Sequence, residues 1–339
     1  MTKKKYALID TANTFFRAKH VASRNSTLEE KLGMALHLTL ASINMVVRQH
    51  NIDHVVLMLE GKSFRKSLYP RYKAHRAVAN QALTEAEKEE NEEFWRTYED
   101  FTTFMRDRTN VSVLRHPEAE ADDLIARFIA LHQEDNHVIV SSDQDYFQLL
   151  SDKTTIYNGI TNELITVNGY FKDNGRPVLN KDKTPKLLER DPEYGLFFKI
   201  LRGDSSDNIL PAAPGAREKG TKNKTGIMEA FEDRKKQGFS YNNFMLQRFT
   251  DPEGVEHRVK DRYELNKSLI DLNAQPQEIK DKVDESIRTG LNVKQVGQVG
   301  IHFMKFCGQY DLIKISEQAE TYAKWLNGPY QGVLQVDTI

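Results

Sequence analysis

Three short apolar runs each end in an acid. Ala7-Leu8-Ile9 leads to Asp10, Leu57-Met58-Leu59 to Glu60, and Val140-Ser141-Ser142 to Asp143, with Asp145 two residues later. A fourth group, Glu120-Ala121-Asp122-Asp123, opens a stretch with helical spacing. Helix N-termini favour acids, so this group alone reads as capping. Three strand-end acids on one edge of a sheet, beside three more, call for a further reason. Crowded carboxylates repel one another unless their pKa values rise or cations hold them together. Oxygen donors without Cys or His select Mg²⁺ or Mn²⁺ over Zn²⁺. Two such ions about 4 Å apart suit in-line displacement at phosphorus, one activating water and the other stabilising the leaving oxygen. Phosphodiester hydrolysis is therefore the expected reaction class. Asp204 and Asp207, in Leu201-Arg202-Gly203-Asp204-Ser205-Ser206-Asp207-Asn208, read alone as a turn and gain weight by joining this set.

A phosphate substrate near so many acids needs cations. Phe64–Arg76 supplies Arg65, Lys66, Arg71, Lys73 and Arg76 without a single acid. Tyr69 and Tyr72 between them suit backbone contacts combined with stacking on an unpaired base. A second basic stretch, with Arg217, Lys219, Lys222 and Lys224, precedes a helix expected at Thr225 and suits a duplex phosphate.

The elements that must position these groups follow from periodicity. Tyr6–Ile9, Val55–Leu59, Val111–Leu114 and Val138–Val140 are strand-like, and stretches such as Leu32, Leu36, Leu40, Ile43 and Val47 keep helical spacing between them. Such alternation predicts an α/β fold, a mostly parallel sheet with helices on both faces and ligands beyond the carboxyl ends of the strands. Between the second and third strands, Thr84–Asp100 carries eight acids against Lys88 and Arg96 and reads as a solvated helix face. Phe94, Tyr98, Phe101 and Met105 read as its core stripe. Asn158–Arg190, polar and rich in Gly and Pro, reads as a hairpin or loop region. Helices are expected over Pro192–Leu201, Thr225–Lys236 and from Arg262 onward. At 339 residues a large domain and a smaller one are expected, divided as 1–190 and 191–339. The single cysteine excludes an internal disulfide or a cysteine metal cluster, and no run of 18 apolar residues exists. No signal peptide is read at the N-terminus, so a reducing cytoplasm is expected, that of a host if the chain is phage-encoded.

Taken together, Leu8-Ile9-Asp10-Thr11-Ala12-Asn13, Tyr72-Lys73-Ala74-His75-Arg76, Glu120-Ala121-Asp122-Asp123, Ser141-Ser142-Asp143-Gln144-Asp145 and Arg202-Gly203-Asp204-Ser205-Ser206-Asp207-Asn208 resemble the flap endonuclease and 5′-nuclease superfamily. The likeness is to its phage ribonuclease H and 5′-exonuclease branch. Asn266–Leu272 also resembles the T-even phage version. The resemblance implies a PIN-like nuclease core and two Mg²⁺ ions, with Mn²⁺ able to substitute. One ion would draw on Asp10, Glu60, Asp122 and Asp143, the other on Glu120, Asp123, Asp145, Asp204 and Asp207. Lys73 and Arg76 would contact the scissile phosphate, and Tyr72 would stack on a terminal base. Residues 77–93 would form an arch or bridge for a 5′ single strand, and Pro211–Glu229 a helix-three-turn-helix that grips duplex.

The implied activity is 5′–3′ exonuclease, flap endonuclease and ribonuclease H-type primer removal during DNA replication or repair. Branched or flapped DNA and RNA–DNA duplex are the implied partners, with a single-strand-binding protein or sliding clamp beside them, for a chain expected to act as a monomer away from membranes. Glu60 stands where the family usually has Asp. Pro211–Gly220 lacks the Gly-hydrophobic-Gly hairpin of cellular relatives, so no monovalent-cation site is expected. Phe303, Met304, Phe306 and Leu312 read as helix packing. A haloacid-dehalogenase-type phosphatase would need a second Asp where Ala12 stands. The remaining alternative is a nuclease-fold protein that binds branched DNA without cutting it.

Overall fold

The computed structural model describes residues 3–21, 26–251, 253–291 and 295–334. In chain order, β1 (Lys5–Asp10) is followed by α1 (Thr11–Phe16), α2 (Ala18–Val21), α3 (Leu28–His50) and β2 (His54–Leu59). Next come α4 (Arg65–Leu68), α5 (Ala74–Gln81), α6 (Glu85–Arg108), β3 (Ser112–Arg115), α7 (Ala121–Leu131) and β4 (Asn136–Val140). A 3₁₀ turn (Gln144–Leu149) precedes β5 (Thr154–Asn158), β6 (Glu163–Thr166) and β7 (Gly169–Lys172). The remainder holds α8 (Pro192–Arg202), α9 (Ile227–Asp233), α10 (Phe239–Met245), β8 (Arg248–Thr250), β9 (Glu256–Arg258) and α11 (Val259–Ile270). Four more helices close it: α12 (Gln277–Leu291), α13 (Val299–Gln309), α14 (Ile313–Ser316) and α15 (Ala319–Leu326).

The chain divides into two compact units. Unit 1 comprises Met1–Ser63, Leu83–Leu188 and Gln277–Ile339; unit 2 comprises Phe64–Ala82 and Glu189–Pro276.

Unit 1 is built on a seven-stranded sheet in the order β3-β2-β1-β4-β5-β6-β7. The first five strands are parallel, and β6 and β7 add an antiparallel hairpin. Apart from a half-buried lead residue in β1 and in β4, every residue of β1, β2 and β4 is buried, as expected of parallel strands covered on both faces. The parallel order runs outward from β1 in both directions, so the carboxyl ends of β1 and β4 flank the topological switch point.

On one face α3, opened by a Thr27–Glu30 capping box, buries Leu36, Leu40 and Ile43. The stripe Phe94, Tyr98, Phe101 and Met105 of α6 enters the same core. Helices from Gln277 onward, grouped by sequence with residues 191–339, return to unit 1, because Val299, Phe303, Phe306 and Leu312 share that core. Met304, expected among the packing residues, is 47% exposed and faces outward. On α12, Asp284 accepts a bidentate pair from Arg127 of α7 at 2.7 and 2.6 Å. No helix among the described residues is long and apolar enough to cross a membrane.

Unit 2 has its own core, in which Tyr194, Phe197, Leu201, Ile227, Phe244 and Met245 pack together. Asp191 caps α8 with Pro192 at its first position, a start encoded directly by residue type. The β8–β9 hairpin has no counterpart in the periodicity, its strands being three residues each. Buried Asn266 donates to Ile200 O and Leu210 O at 2.9 and 2.8 Å, tying α11 to the end of α8.

Candidate active site

The β1 register places Ile9 opposite Val140 and Asp10 opposite Met58, so Asp10, Glu60 and Asp143 leave the sheet at the same edge. Asp10 is 6% exposed and caps α1, its Oδ1 accepting the Asn13 N–H at 3.2 Å. Its Oδ2 accepts the hydroxyls of Ser141 at 2.9 Å and Tyr146 at 3.1 Å. The Ser141 oxygen in turn accepts the Asp143 N–H at 3.1 Å. Asn13 Oδ1 accepts both the N–H and the hydroxyl of Ser142. The ends of β1 and β4 are thereby laced together.

Glu60 Oε2 accepts the Ala121 N–H at the start of α7, 3.2 Å away. The strand end that carries Glu60 is fixed by backbone bonds, Gly61 N–H to Ala119 O at 3.0 Å and Lys62 N–H to Pro117 O at 2.8 Å. Glu120 caps α7, and its own N–H donates to Asp123 at 3.0 Å in a reciprocal box. Ser63 donates to Glu120 Oε2 at 2.8 Å. Carboxylate oxygens of Glu120, Asp122 and Asp123 lie within 4.8 Å of one another. Asp143 is exposed, Asp145 half-buried, and Asp145 N–H donates to Asp143 Oδ1 at 2.9 Å.

The Tyr146 hydroxyl senses this concentration of charge. Burial first, then Asp10, Asp122, Glu60 and Asp143, push its pKa far above the ordinary phenol value. Tyr98 is raised in the same way by burial, Glu60, Asp10 and Glu99. The strand-end acids Asp10, Glu60 and Asp143 and the Glu120, Asp122 and Asp123 carboxylates at the start of α7 thus gather at one edge of the sheet in unit 1. An all-oxygen, anionic donor set of this kind fits hard divalent cations. Ser141 and Tyr146 were missed by sequence reasoning, because hydroxyls carry no charge pattern; the Ser141-Ser142 pair beside a strand-end acid was the only available signal.

In unit 2, Lys73 occupies the left-handed region at φ 52° just before α5. Its Nζ stands 3.8 Å from Asp207 Oδ2, Arg76 Nη2 stands 2.9 Å from Oδ1, and the Lys73 N–H bonds to Asp207 O. Burial raises the Asp207 pKa, and the neighbouring Lys73 and Arg76 do not fully offset it. Asp204 is also pushed up by burial, but Lys199 at 2.8 Å and Ser206 bring it below the usual range. Gly203, at φ +71°, permits this turn; a Cβ there would lie 2.4 Å from Ile209 O.

Arg217, Lys219, Lys222 and Lys224 are exposed on a turn closed by Glu229, which accepts from Gly220 and Gly226 N–H groups. Arg71 is exposed and paired with Glu253 at 2.8 Å. Two residues expected at a nucleic-acid surface are instead interior. Arg65 is 1% exposed, with Nε donating to Leu269 O at 2.8 Å, so its charge serves packing. Tyr72 is 2% exposed and packs with Tyr69, Ile200 and Ile209, which leaves no free ring face for stacking on a base.

A family model described as the 5′-3′ exonuclease N-terminal resolvase-like domain matches residues 5–175. A 5′-3′ exonuclease of Mycoplasmopsis pulmonis is 23% identical over 67% of this chain and 68% of its own length. DNA polymerase I of Mycobacterium tuberculosis is 30% identical over 47% of this chain, which spans only 15% of that longer protein. Among solved structures, phage T5 5′-exonuclease with divalent zinc ions bound superposes with a TM-score of 0.57 at 20% identity, over 85% of this chain and 99% of that one. The T5 D15 flap endonuclease in a pseudo-enzyme-product complex with DNA and metal ions gives 0.53 at 19%, over 84% and 98%. The mostly parallel sheet with its helices is thus a fold shared with these nucleases, and the acidic edge lies at the switch point of that sheet. Through the match that runs from β1 to beyond β7, the chain belongs to the 5′-3′ exonuclease family of nucleases.

Proposed function

We propose that this chain is a structure-specific 5′ nuclease that hydrolyses phosphodiesters near the 5′ ends of branched, flapped or RNA-primed DNA, using two Mg²⁺ ions. The observation that supports this reading best is geometric: Asp10, Glu60 and Asp143 leave the sheet at one edge, where Glu60 bonds to the start of α7 and the carboxylates of Glu120, Asp122 and Asp123 cluster. Asp10, Glu60, Asp122 and Asp143 would hold one ion, and Glu120, Asp123 and Asp145 would contribute to the other. When bound, such ions supply an activated water and charge stabilisation at phosphorus. The chain's own groups do the rest. The lacing of Asp10 to Ser141 and of Asp143 to Ser141 keeps the acids preorganised. Lys73 and Arg76, held by Asp207, neutralise charge growing on phosphoryl oxygens. Arg217, Lys219, Lys222 and Lys224 bind duplex phosphates, and their contribution falls with salt. Residues 77–93, none of them buried, are read as the segment that meets the 5′ single strand.

End-labelled flap, nicked and RNA–DNA substrates, incubated with Mg²⁺ and with EDTA, test the reading. Products should shorten from the 5′ end only with Mg²⁺, and Asp143→Asn should bind substrate while failing to cut it. Asn at Asp204 or Asp207, made separately, should each raise the Mg²⁺ concentration needed for cleavage. Binding of flap DNA by the parent protein without cleavage under any divalent ion would favour the non-cutting alternative.

A further inference from the structure

Asp10 is the most enclosed of the strand-end acids, and two buried hydroxyls grip one of its oxygens. Ser141, 2% exposed, and Tyr146, 1% exposed, both donate to Oδ2, while the Asn13 N–H holds Oδ1. Tyr146 belongs to the 3₁₀ turn Gln144–Leu149, whose cap is Asp143. One short turn therefore sets Asp143 at its start and sends a hydroxyl across to Asp10. Chain separation between Tyr146 and Asp10 is 136 residues, so the bond is tertiary rather than an incidental local turn. The phenol ring is fully packed, which leaves its hydroxyl no freedom to follow a carboxylate that swings away.

A carboxylate among other carboxylates turns from its neighbours unless something holds it. Hydroxyl donors hold it without adding positive charge, so they orient the acid without competing for it as Lys or Arg would. Partners of this kind behind a metal ligand typically change metal affinity by about 10–100-fold.

We propose that Tyr146, with Ser141, is a positioning residue for Asp10, fixing the carboxylate in the orientation in which it meets a divalent ion. This rests on the reading of Asp10 as a metal-holding acid. Tyr146 acts through Asp10 and touches neither substrate nor the reacting atoms.

Tyr146→Phe removes one oxygen and keeps the ring that fills the core. The test uses the full chain, with Mn²⁺ titrated calorimetrically into parent, Tyr146→Phe, Asp10→Asn and the double variant. Flap-DNA binding and thermal melting are followed in EDTA. Tyr146→Phe should weaken Mn²⁺ binding about 10–100-fold, with melting in EDTA and DNA affinity close to the parent values. Added to Asp10→Asn, it should weaken Mn²⁺ binding no further, because its effect passes through that carboxylate. Should Tyr146→Phe fold poorly, Ser141→Ala carries the same expectation through the other donor. Parental Mn²⁺ affinity in Tyr146→Phe, or equal losses with and without Asp10, overturns the inference. A parent protein that binds no Mn²⁺ overturns the metal-nuclease reading itself, and this inference with it.

Discussion

Glu60 Oε2 accepts the Ala121 N–H at 3.2 Å, so the acid that ends β2 also closes the start of α7. Its extra methylene relative to aspartate has a structural use. A shorter side chain on the same backbone would retreat from α7 and leave that N–H without this partner. Glu60→Asp should therefore raise the Mg²⁺ concentration for half-maximal cleavage by about tenfold, with little change in melting temperature. Identical Mg²⁺ titrations for the two proteins would show that the reach of Glu60 is immaterial.

The Lys73–Asp207–Arg76 group makes a different forecast. If the two cations act on charge that grows during the reaction, their loss should appear in kcat. Lys73→Ala should lower kcat on the order of 10²-fold, with substrate affinity changed far less. Single-turnover cleavage combined with binding in EDTA separates the two. A loss confined to affinity would reassign Lys73 to substrate binding. Arg76, more than half exposed, should show the smaller effect of the pair.

How much of this was legible beforehand depends on the kind of residue. The strands ending in Asp10, Glu60 and Asp143 were visible because buried parallel strands are continuous apolar runs and a charge at their end breaks the pattern. The core stripe of α6 was visible through its spacing. The role of Arg65 was not, since a basic loop reads as a surface until tertiary packing supplies Leu269 O as partner. Tyr72 misled for the same reason: an aromatic between cations looks available for stacking, yet it is the floor of a hydrophobic cluster. The hydroxyls on Asp10 come from Ser141 and Tyr146, more than 130 residues away in sequence, and no local pattern encodes that meeting. The return of the helices after Gln277 to unit 1 was hidden as well, because an amphipathic helix shows that it has a partner without naming which one.

Gly61 lies where no side chain fits. A Cβ would sit 1.9 Å from His116 O and 2.6 Å from Ala119 O, both backbone atoms in the segment that leads to Glu120. Relief would require the end of β2 to part from that segment, breaking the Gly61–Ala119 bond. Gly61→Ala should cost about 2–3 kcal/mol of stability, as overpacking does, and should shift the Mg²⁺ titration because Glu60 and Glu120 flank the clash. Urea denaturation in EDTA reads the first effect and cleavage the second. A variant as stable as the parent would show that the backbone can open there.

At the opposite end of the sheet, His54 is 4% exposed, with Nδ1 3.0 Å from Gly328 O and Nε2 2.8 Å from Ser112 Oγ. Burial, only partly offset by the Gly328 carbonyl, lowers its pKa from 6.5 to about 4. The folded protein thus keeps His54 neutral where the unfolded chain would protonate it. Above pH 6.5 both states are neutral there and nothing is lost. As pH falls from 6.5 towards 4 the unfolded state gains the proton first, so stability drops, and below 4 the loss levels off. At pH 5 the deficit from this one group should be about 2 kcal/mol. Urea denaturation at pH 7 and pH 5 should therefore show a smaller decline in His54→Gln than in the parent protein. Equal declines would mean that His54 is not among the groups that set acid stability, and that its burial costs less than its two neutral partners imply.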